Sequence, residues 1–332
     1  MRCANGASSF HDEHILPATR PSNQTMNLRE WALPVYTVLM QLAIGALFSL
    51  WVIRALNSSK YAKEQMERIT RVPVLIIFFT IVLAMTGSHF HLSRPYLSFL
   101  AIRNFRHSWL SREIAFTVIV FICTLLLLLL LWLRKGSYRL KLGLGWGAIL
   151  AGIATIYCMA SIYLLPTQVS WNSTATIFSY YAVTLLLGTT SLIVILLMDL
   201  RFSAGQKPAD LDARIQIIRR SIVWLTGVAT LAAAVVLLLG SYQIELLRSS
   251  KLPSAQASLH LILDLYRPLL VMRVGLTVLG IAWLIGMVGY FLRTQRSFIN
   301  LLGPIYIACI MVLVGEILER FLFYASHVRI GI

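Results

Sequence analysis

Charged side chains are scarce in this chain, and acidic ones are scarcest. Asp and Glu number 13 against 29 Lys and Arg in 332 residues, and the four types together make up 13% of the sequence. So few charges cannot cover a soluble globule of this length. Hydrophobic residues at 58%, with a mean hydropathy of +0.77, exclude that class. Cysteine is thin as well. Cys3, Cys123, Cys158 and Cys309 show no paired spacing, which removes zinc, iron–sulfur and disulfide frameworks. A facing pair of histidines is also missing. His11 and His14 lie in the polar N-terminal segment, His107 and His260 in connections, and His327 beyond the last apolar run. His89 and His91 are two residues apart and point to different sides of a helix. A membrane haem usually takes two axial histidines from helices, so no bound haem or metal is expected. Residues 1–25 lack the apolar core of a secretion signal and read as a disordered polar tail ahead of a single membrane domain, 26–332. No repeat of 20–50 residues is visible, which excludes a solenoid.

What the chain does have is long apolar runs. A helix needs roughly 20 such residues to cross a bilayer. Eight runs qualify, at 33–55, 73–89, 113–133, 145–165, 174–199, 222–244, 269–292 and 298–324. The expected fold is all-α, a polytopic integral membrane protein built as a bundle of eight transmembrane helices. Pro73 suits a first-turn position. Gly143, Gly145, Gly147 and Gly152 permit close helix approach in the fourth run. Asp199 and Arg201 read as boundary charges of the fifth.

The net charge of +16 would suit nucleic acid, but the basic residues sit in short connections between apolar runs, so a membrane partner is expected instead. Arg54, Lys60, Lys63, Arg68 and Arg71 follow the first run; Arg134, Lys135, Arg139 and Lys141 follow the third; Arg201, Lys207, Arg214, Arg219 and Arg220 follow the fifth. The connection 166–173 holds no basic residue. Odd-numbered connections are therefore expected in the cytoplasm and both termini outside. Arg94, Arg103 and Arg106 break that pattern in an outward connection. Either they dock a partner or hold a ligand, or the orientation is inverted.

That connection concentrates the chemistry. Ser88-His89-Phe90-His91-Leu92-Ser93-Arg94-Pro95 ends one run, and Leu110-Ser111-Arg112-Glu113-Ile114 opens the next. Ionisable groups at a bilayer edge are costly and are functional candidates; the bland alternative is an interfacial loop whose arginines bind lipid phosphate. Quinol oxidation releases two electrons and two protons. It needs a cavity open to lipid, a partner for each hydroxyl and a proton acceptor near neutral pH. Histidine and an edge carboxylate both meet the last requirement. His91 and Glu113 are the candidate catalytic pair, with Arg94 steadying either the carboxylate or a semiquinone anion. The same residue types would serve a proton-coupled transporter, although no matched pair of broken helices is visible. Gln41 in the first run is either an interhelical hydrogen bond or a cavity-lining group. Glu316 and Arg320 share a helix face and are expected to form a structural ion pair, whereas Glu319 falls off that face toward the interface.

Three places resemble one family. Glu30-Trp31, Leu33-Pro34, Thr37 and Gln41 are similar to its opening helix. His91-Leu92-Ser93, Pro95 and Leu110-Ser111-Arg112-Glu113-Ile114 resemble its histidine–proline loop and the helix start that follows. Gly315-Glu316, Arg320 and Phe323-Tyr324 resemble its closing helix. The family is the membrane anchor subunit of the dimethyl sulfoxide reductase group of respiratory molybdoenzymes. The resemblance implies eight membrane helices and no cofactor in the subunit; with the charge count it gives a bacterial inner-membrane protein with both termini periplasmic. It further implies oxidation of quinol (menaquinol or ubiquinol), with electrons passing to an iron–sulfur subunit and then to a molybdopterin catalytic subunit. The family's quinol-site residues carry over onto His91 and Glu113; from residue type and position, Arg94 and Gln41 are added to quinol binding, and partner docking is given to Arg103 and Arg106. The family pattern has Gly near Ser93-Arg94 and in place of Glu319. Those departures leave open a different partner or substrate.

Overall fold

The computed structural model describes residues 28–89, 100, 102–202, 208–294 and 302–328, without the side chains of 28–32, 89, 202, 208–213 and 294. Within them the chain is helical: α1 (Leu28–Asn57), α2 (Lys63–His89), α3 (Trp109–Trp132), α4 (Tyr138–Ile162), α5 (Thr174–Phe202), α6 (Pro208–Ser249), α7 (Pro253–His260), a π turn (Leu261–Leu265), α8 (Arg267–Thr294) and α9 (Leu302–Ala325). Apolar surroundings offer peptide groups no partner, so each apolar run closes its own hydrogen bonds. Ser108 starts α3 by accepting from the Ser111 N–H (3.3 Å), and Ser137 starts α4 by accepting from Leu140 (3.2 Å). Arg134 (φ 53°) and Gly136 (φ 77°) reverse the chain between those two helices.

Seven of these helices are long and apolar enough to cross a membrane, α1 through α6 and α8. The expected eighth, α9, matches them in length, but Glu316, Glu319 and Arg320 crowd its second half. Most other departures from the expected boundaries are extensions, although α4 closes at Ile162 and not at 165. Hydropathy stops at the edge of the apolar layer, whereas a helix continues into the polar zone. Hence α2 begins at Lys63, which puts Pro73 in its interior and not in its first turn. For the same reason α6 runs 42 residues, about 63 Å at helical rise. The short α7 and the π turn have no counterpart among the expected runs, and His260 closes α7 instead of lying in a loop.

Sequential neighbours pack as pairs, α1 with α2, α3 with α4, α5 with α6 and α8 with α9, while α1 also contacts α4, α5 and α9. The spans of α1 and α5 are mostly buried, and those of α3 and α8 mostly face out of the bundle. Two glycines set the central crossing. A Cβ on Gly45 would collide with the Thr184 and Gly188 backbone, and one on Gly188 with Gly45. Of the four α4 glycines, Gly145 packs under the Trp51 ring and Gly152 under Ile44 (2.8 Å to an added Cβ), while Gly143 faces open space. Charges are also buried at the end of the bundle where α1 ends and α2 begins. Lys141 pairs with Glu67 at 2.8 Å, and Arg54 lies over the Trp51 and Tyr138 rings. Asp199 is not a boundary charge: it is buried and paired with Arg214 of α6.

Candidate functional site

At the other end, where α1, α3 and α5 begin and α4 and α9 finish, a second polar cluster is enclosed. Glu113 lies in the second turn of α3 because Ser108, not Ser111, caps that helix. The buried stripe of α3 then reads Glu113, Thr117, Val120, Thr124, Leu127 and Leu131, one face at helical spacing. Glu113 leads that stripe, so it points inward and is 5% exposed. It sits beside the Tyr36 phenol of α1, which pairs with Thr117 Oγ1 at 3.2 Å. Three further tyrosines stand within electrostatic reach of the carboxylate: Tyr163, Tyr180 and Tyr324. The Tyr163 and Tyr324 hydroxyls share a hydrogen bond of 2.7 Å.

One α9 turn from Tyr324, the Arg320 guanidinium is 1% exposed. Its Nη2 donates to Gln41 Oε1 at 3.1 Å, and Gln41 Nε2 donates to the Tyr180 carbonyl at 2.9 Å. The same guanidinium lies 3.8 Å over the Tyr180 ring. Gln41 thus makes the interhelical bond and lies in the core. The expected ion pair of Glu316 with Arg320 is replaced by another: Glu319 Oε2 approaches Arg320 Nε at 3.6 Å. Glu316 turns instead toward Arg273 and Thr277 of α8, close to the Thr277 hydroxyl without a hydrogen bond of normal geometry. Glu319 is buried and does not reach an interface.

An aromatic wall closes this end. Trp171 stacks on Phe323 (5.2 Å) and donates its indole N–H to the Phe323 carbonyl at 2.7 Å, with Tyr163 edge-on to both rings. His327 stacks on Trp171.

The structure brings Gln41, Glu113 and Arg320 into one polar layer of the bundle, joined through α1. His91 and Arg94 lie outside the described residues. Arg103 and Arg106 are exposed in the turn before α3. Arg112 fixes that turn by donating to the Phe105 (2.9 Å) and Arg106 (2.7 Å) carbonyls while lying over Trp109. Tyr36, Thr117, Tyr163 and Tyr180 went unread in the sequence. The signal for Thr117 was there, since it follows Glu113 by one helical turn. No group of three or more His, Cys, Asp or Glu is placed to hold a metal ion among the described residues.

Residues 26–326 match the family described as "DMSO reductase anchor subunit (DmsC)". The chain belongs to that family. Two relatives give the scale of divergence within the DmsC group. The Escherichia coli (strain K12) protein "Anaerobic dimethyl sulfoxide reductase chain YnfH" is 26% identical over 306 residues, 91% of this chain and 96% of the relative. A component of the anaerobic dimethyl sulfoxide reductase of Haemophilus influenzae is 27% identical over 169 residues, 50% of this chain and 58% of the relative. At this distance membership in DmsC establishes a multi-pass membrane anchor of a molybdoenzyme complex.

Proposed function

We propose that this anchor subunit binds quinol at the Glu113 end of the bundle, oxidises it and passes the electrons to an iron–sulfur partner, which feeds a molybdopterin catalytic subunit. The observation that supports this reading is the placement of Glu113: a carboxylate turned into the bundle beside Tyr36, in the second turn of α3; at 5% exposure it must be uncovered for a lipid-borne quinol to reach it. The quinol hydroxyls would hydrogen-bond to His91 and Glu113, each of which would take one proton. Arg94 would steady the Glu113 carboxylate. Gln41 would shape the floor of the site through Arg320. The clusters and the molybdenum cofactor belong to the partner subunits, so this chain supplies binding, positioning and proton acceptance.

The membrane arrangement in this reading has eight spans. α9 crosses as the eighth because its three charged residues are turned into the bundle and lipid meets its apolar face. The Lys and Arg distribution then sets both termini and the Glu113 end on the periplasmic side of the inner membrane. Complexes carrying Glu113→Gln or His91→Ala should assemble with their partners but reduce the enzyme from quinol about a hundredfold more slowly. Normal quinol turnover in both variants would reject the site and favour a purely structural anchor.

A further inference from the structure

A second polar feature lies between α6 and α8, away from the His91 loop. A cavity of about 60 Å³ opens between α6, the π turn, α8 and α9. Its walls include Gly240, Gln243, Ile262, Leu270, Arg273 and Glu319. It has room for roughly four to six water-sized groups, enough for a phosphate. Arg273 is 7% exposed, and its Nε has no hydrogen-bond partner. The end of the guanidinium lies against α6: a Cβ on Gly240 would stand 3.3 Å from Nη1 and 3.9 Å from Nη2. With no side chain on Gly240, these two nitrogens border the cavity, and no hydrogen bond or ion pair holds them among the described residues. Glu316 does not answer them, since neither of its oxygens makes a hydrogen bond. Glu319 lines the same cavity, 3.6 Å from Arg320 but with no hydrogen bond at Oε2. Gln243 donates its amide nitrogen to Thr176 Oγ1 at 3.3 Å, which leaves the amide oxygen to accept. A guanidinium taken out of water without a partner is costly, so the cavity calls for an occupant that answers it.

Depth and charge narrow what that occupant is. α8 begins at Arg267 and α6 ends at Ser249, so Arg273 and Gln243 each lie six residues inside a helix end. At helical rise that is about 9 Å. The polar zone of a bilayer is roughly 5–8 Å thick on each side, which sets the cavity at the base of the lipid head groups. A cation at this depth on an outer helix ordinarily stretches outward to the phosphates. Arg273 turns inward under α6, so a phosphate has to come to it. Both framing helices expose large side chains next to the lining residues, Tyr242 on α6 and Val271 on α8, so the gap opens beside lipid. The formal charges of Arg273, Arg320, Glu316 and Glu319 sum to zero. A bare anion would leave one negative charge in excess, whereas a zwitterion leaves none.

We propose that this cavity seats the head group of one phospholipid of the phosphatidylethanolamine type. Its phosphate lies on the Arg273 guanidinium, whose fork suits two phosphate oxygens. Its primary ammonium donates to Glu319 and to the Gln243 amide oxygen. The acyl chains occupy the gap between α6 and α8. The lipid ties α6 to α8 and α9 as part of the subunit's structure, so the proposal is independent of where quinol binds.

Native mass spectrometry of the delipidated intact complex tests this. Titration with palmitoyl-oleoyl phosphatidylethanolamine should fill one saturable site that Arg273→Gln weakens about tenfold or more. Gly240→Val leaves the guanidinium in place, fills the space beside it and should weaken the site as much. Arg267→Gln, at an exposed cation on the same helix, should bind as the parent does. Phosphatidylglycerol, which lacks the ammonium, and phosphatidylcholine, whose ammonium has no N–H to donate, should each bind about tenfold more weakly. Glu319→Gln should erase the preference over phosphatidylglycerol. Parental binding in both Arg273→Gln and Gly240→Val overturns the site, as does equal weakening by Arg267→Gln. Equal affinity for phosphatidylglycerol overturns the zwitterion. Displacement of the lipid by soluble O-phosphoethanolamine would assign the cavity to a free metabolite, and displacement by a short-chain naphthoquinol analogue would assign it to quinol; either overturns the lipid. Should Arg273→Gln fail to assemble, Gly240→Val and the comparison of head groups decide.

Discussion

Arg320 shows how much a single buried charge can organise. A guanidinium inside a bundle is tolerated only with partners, and here Gln41, the Tyr180 ring and Glu319 share it. The Gln41 amide is the neutral member of the set, and it ties α1 to both α5 and α9. Gln41→Ala should therefore cost roughly 1.5–3 kcal/mol, the range for a hydrogen bond to a charged group. A lower melting temperature of the detergent-solubilised complex would show it; an unchanged one would mean that the guanidinium finds another acceptor. Much of this was legible from residue type. Glu113 and Gln41 stand out because polar groups are rare in apolar runs. The choice between Glu316 and Glu319 was not legible. Spacing of i and i+4 offers a pair on an isolated helix, but α8 draws Glu316 away toward Arg273 and Thr277. Tyr36 was missed for a similar reason: near a helix start, tyrosine reads as an interfacial anchor, and only the neighbouring α3 shows that it faces inward.

At the scale of elements, helix existence followed from hydropathy, but helix contacts did not. The α4 glycines announced close packing, and Gly145 and Gly152 supply it against α1. The tighter crossing, Gly45 against Gly188, joins single glycines on two separate helices, and neither run alone reveals its partner. Gly45→Val would drive α1 and α5 apart at their contact and should remove about 3 kcal/mol or more. Such a variant should fail to accumulate in the membrane on an immunoblot, whereas Gly143→Ala, with no neighbour to meet, should accumulate normally. The extended ends of α2 and α6 were invisible to hydropathy because polar residues continue a helix as readily as they end one. The π turn, which forms part of the cavity wall through Ile262, has no composition signature at all.

For the whole molecule, the two ends are chemically different. One end is tied by Lys141–Glu67 and Asp199–Arg214. The other carries the tyrosine and carboxylate cluster beneath an exposed basic turn. The sequence announced that asymmetry through its uneven Lys and Arg distribution, including Arg103 and Arg106, which break the pattern. If Arg103 and Arg106 dock the iron–sulfur partner, reversing both to Glu should release that partner from isolated membranes already at low salt, where the parent retains it, and the difference should shrink as salt is raised. Retention equal to the parent at low salt would assign these arginines to lipid instead.

The bond between Gln41 and Arg320 joins residues 279 positions apart. A ribosome therefore delivers the first helix long before the last can answer it. Until α9 enters, the Gln41 amide oxygen has no cation to accept from, so a polypeptide cut short at α8 would leave α1 without one of its buried partners.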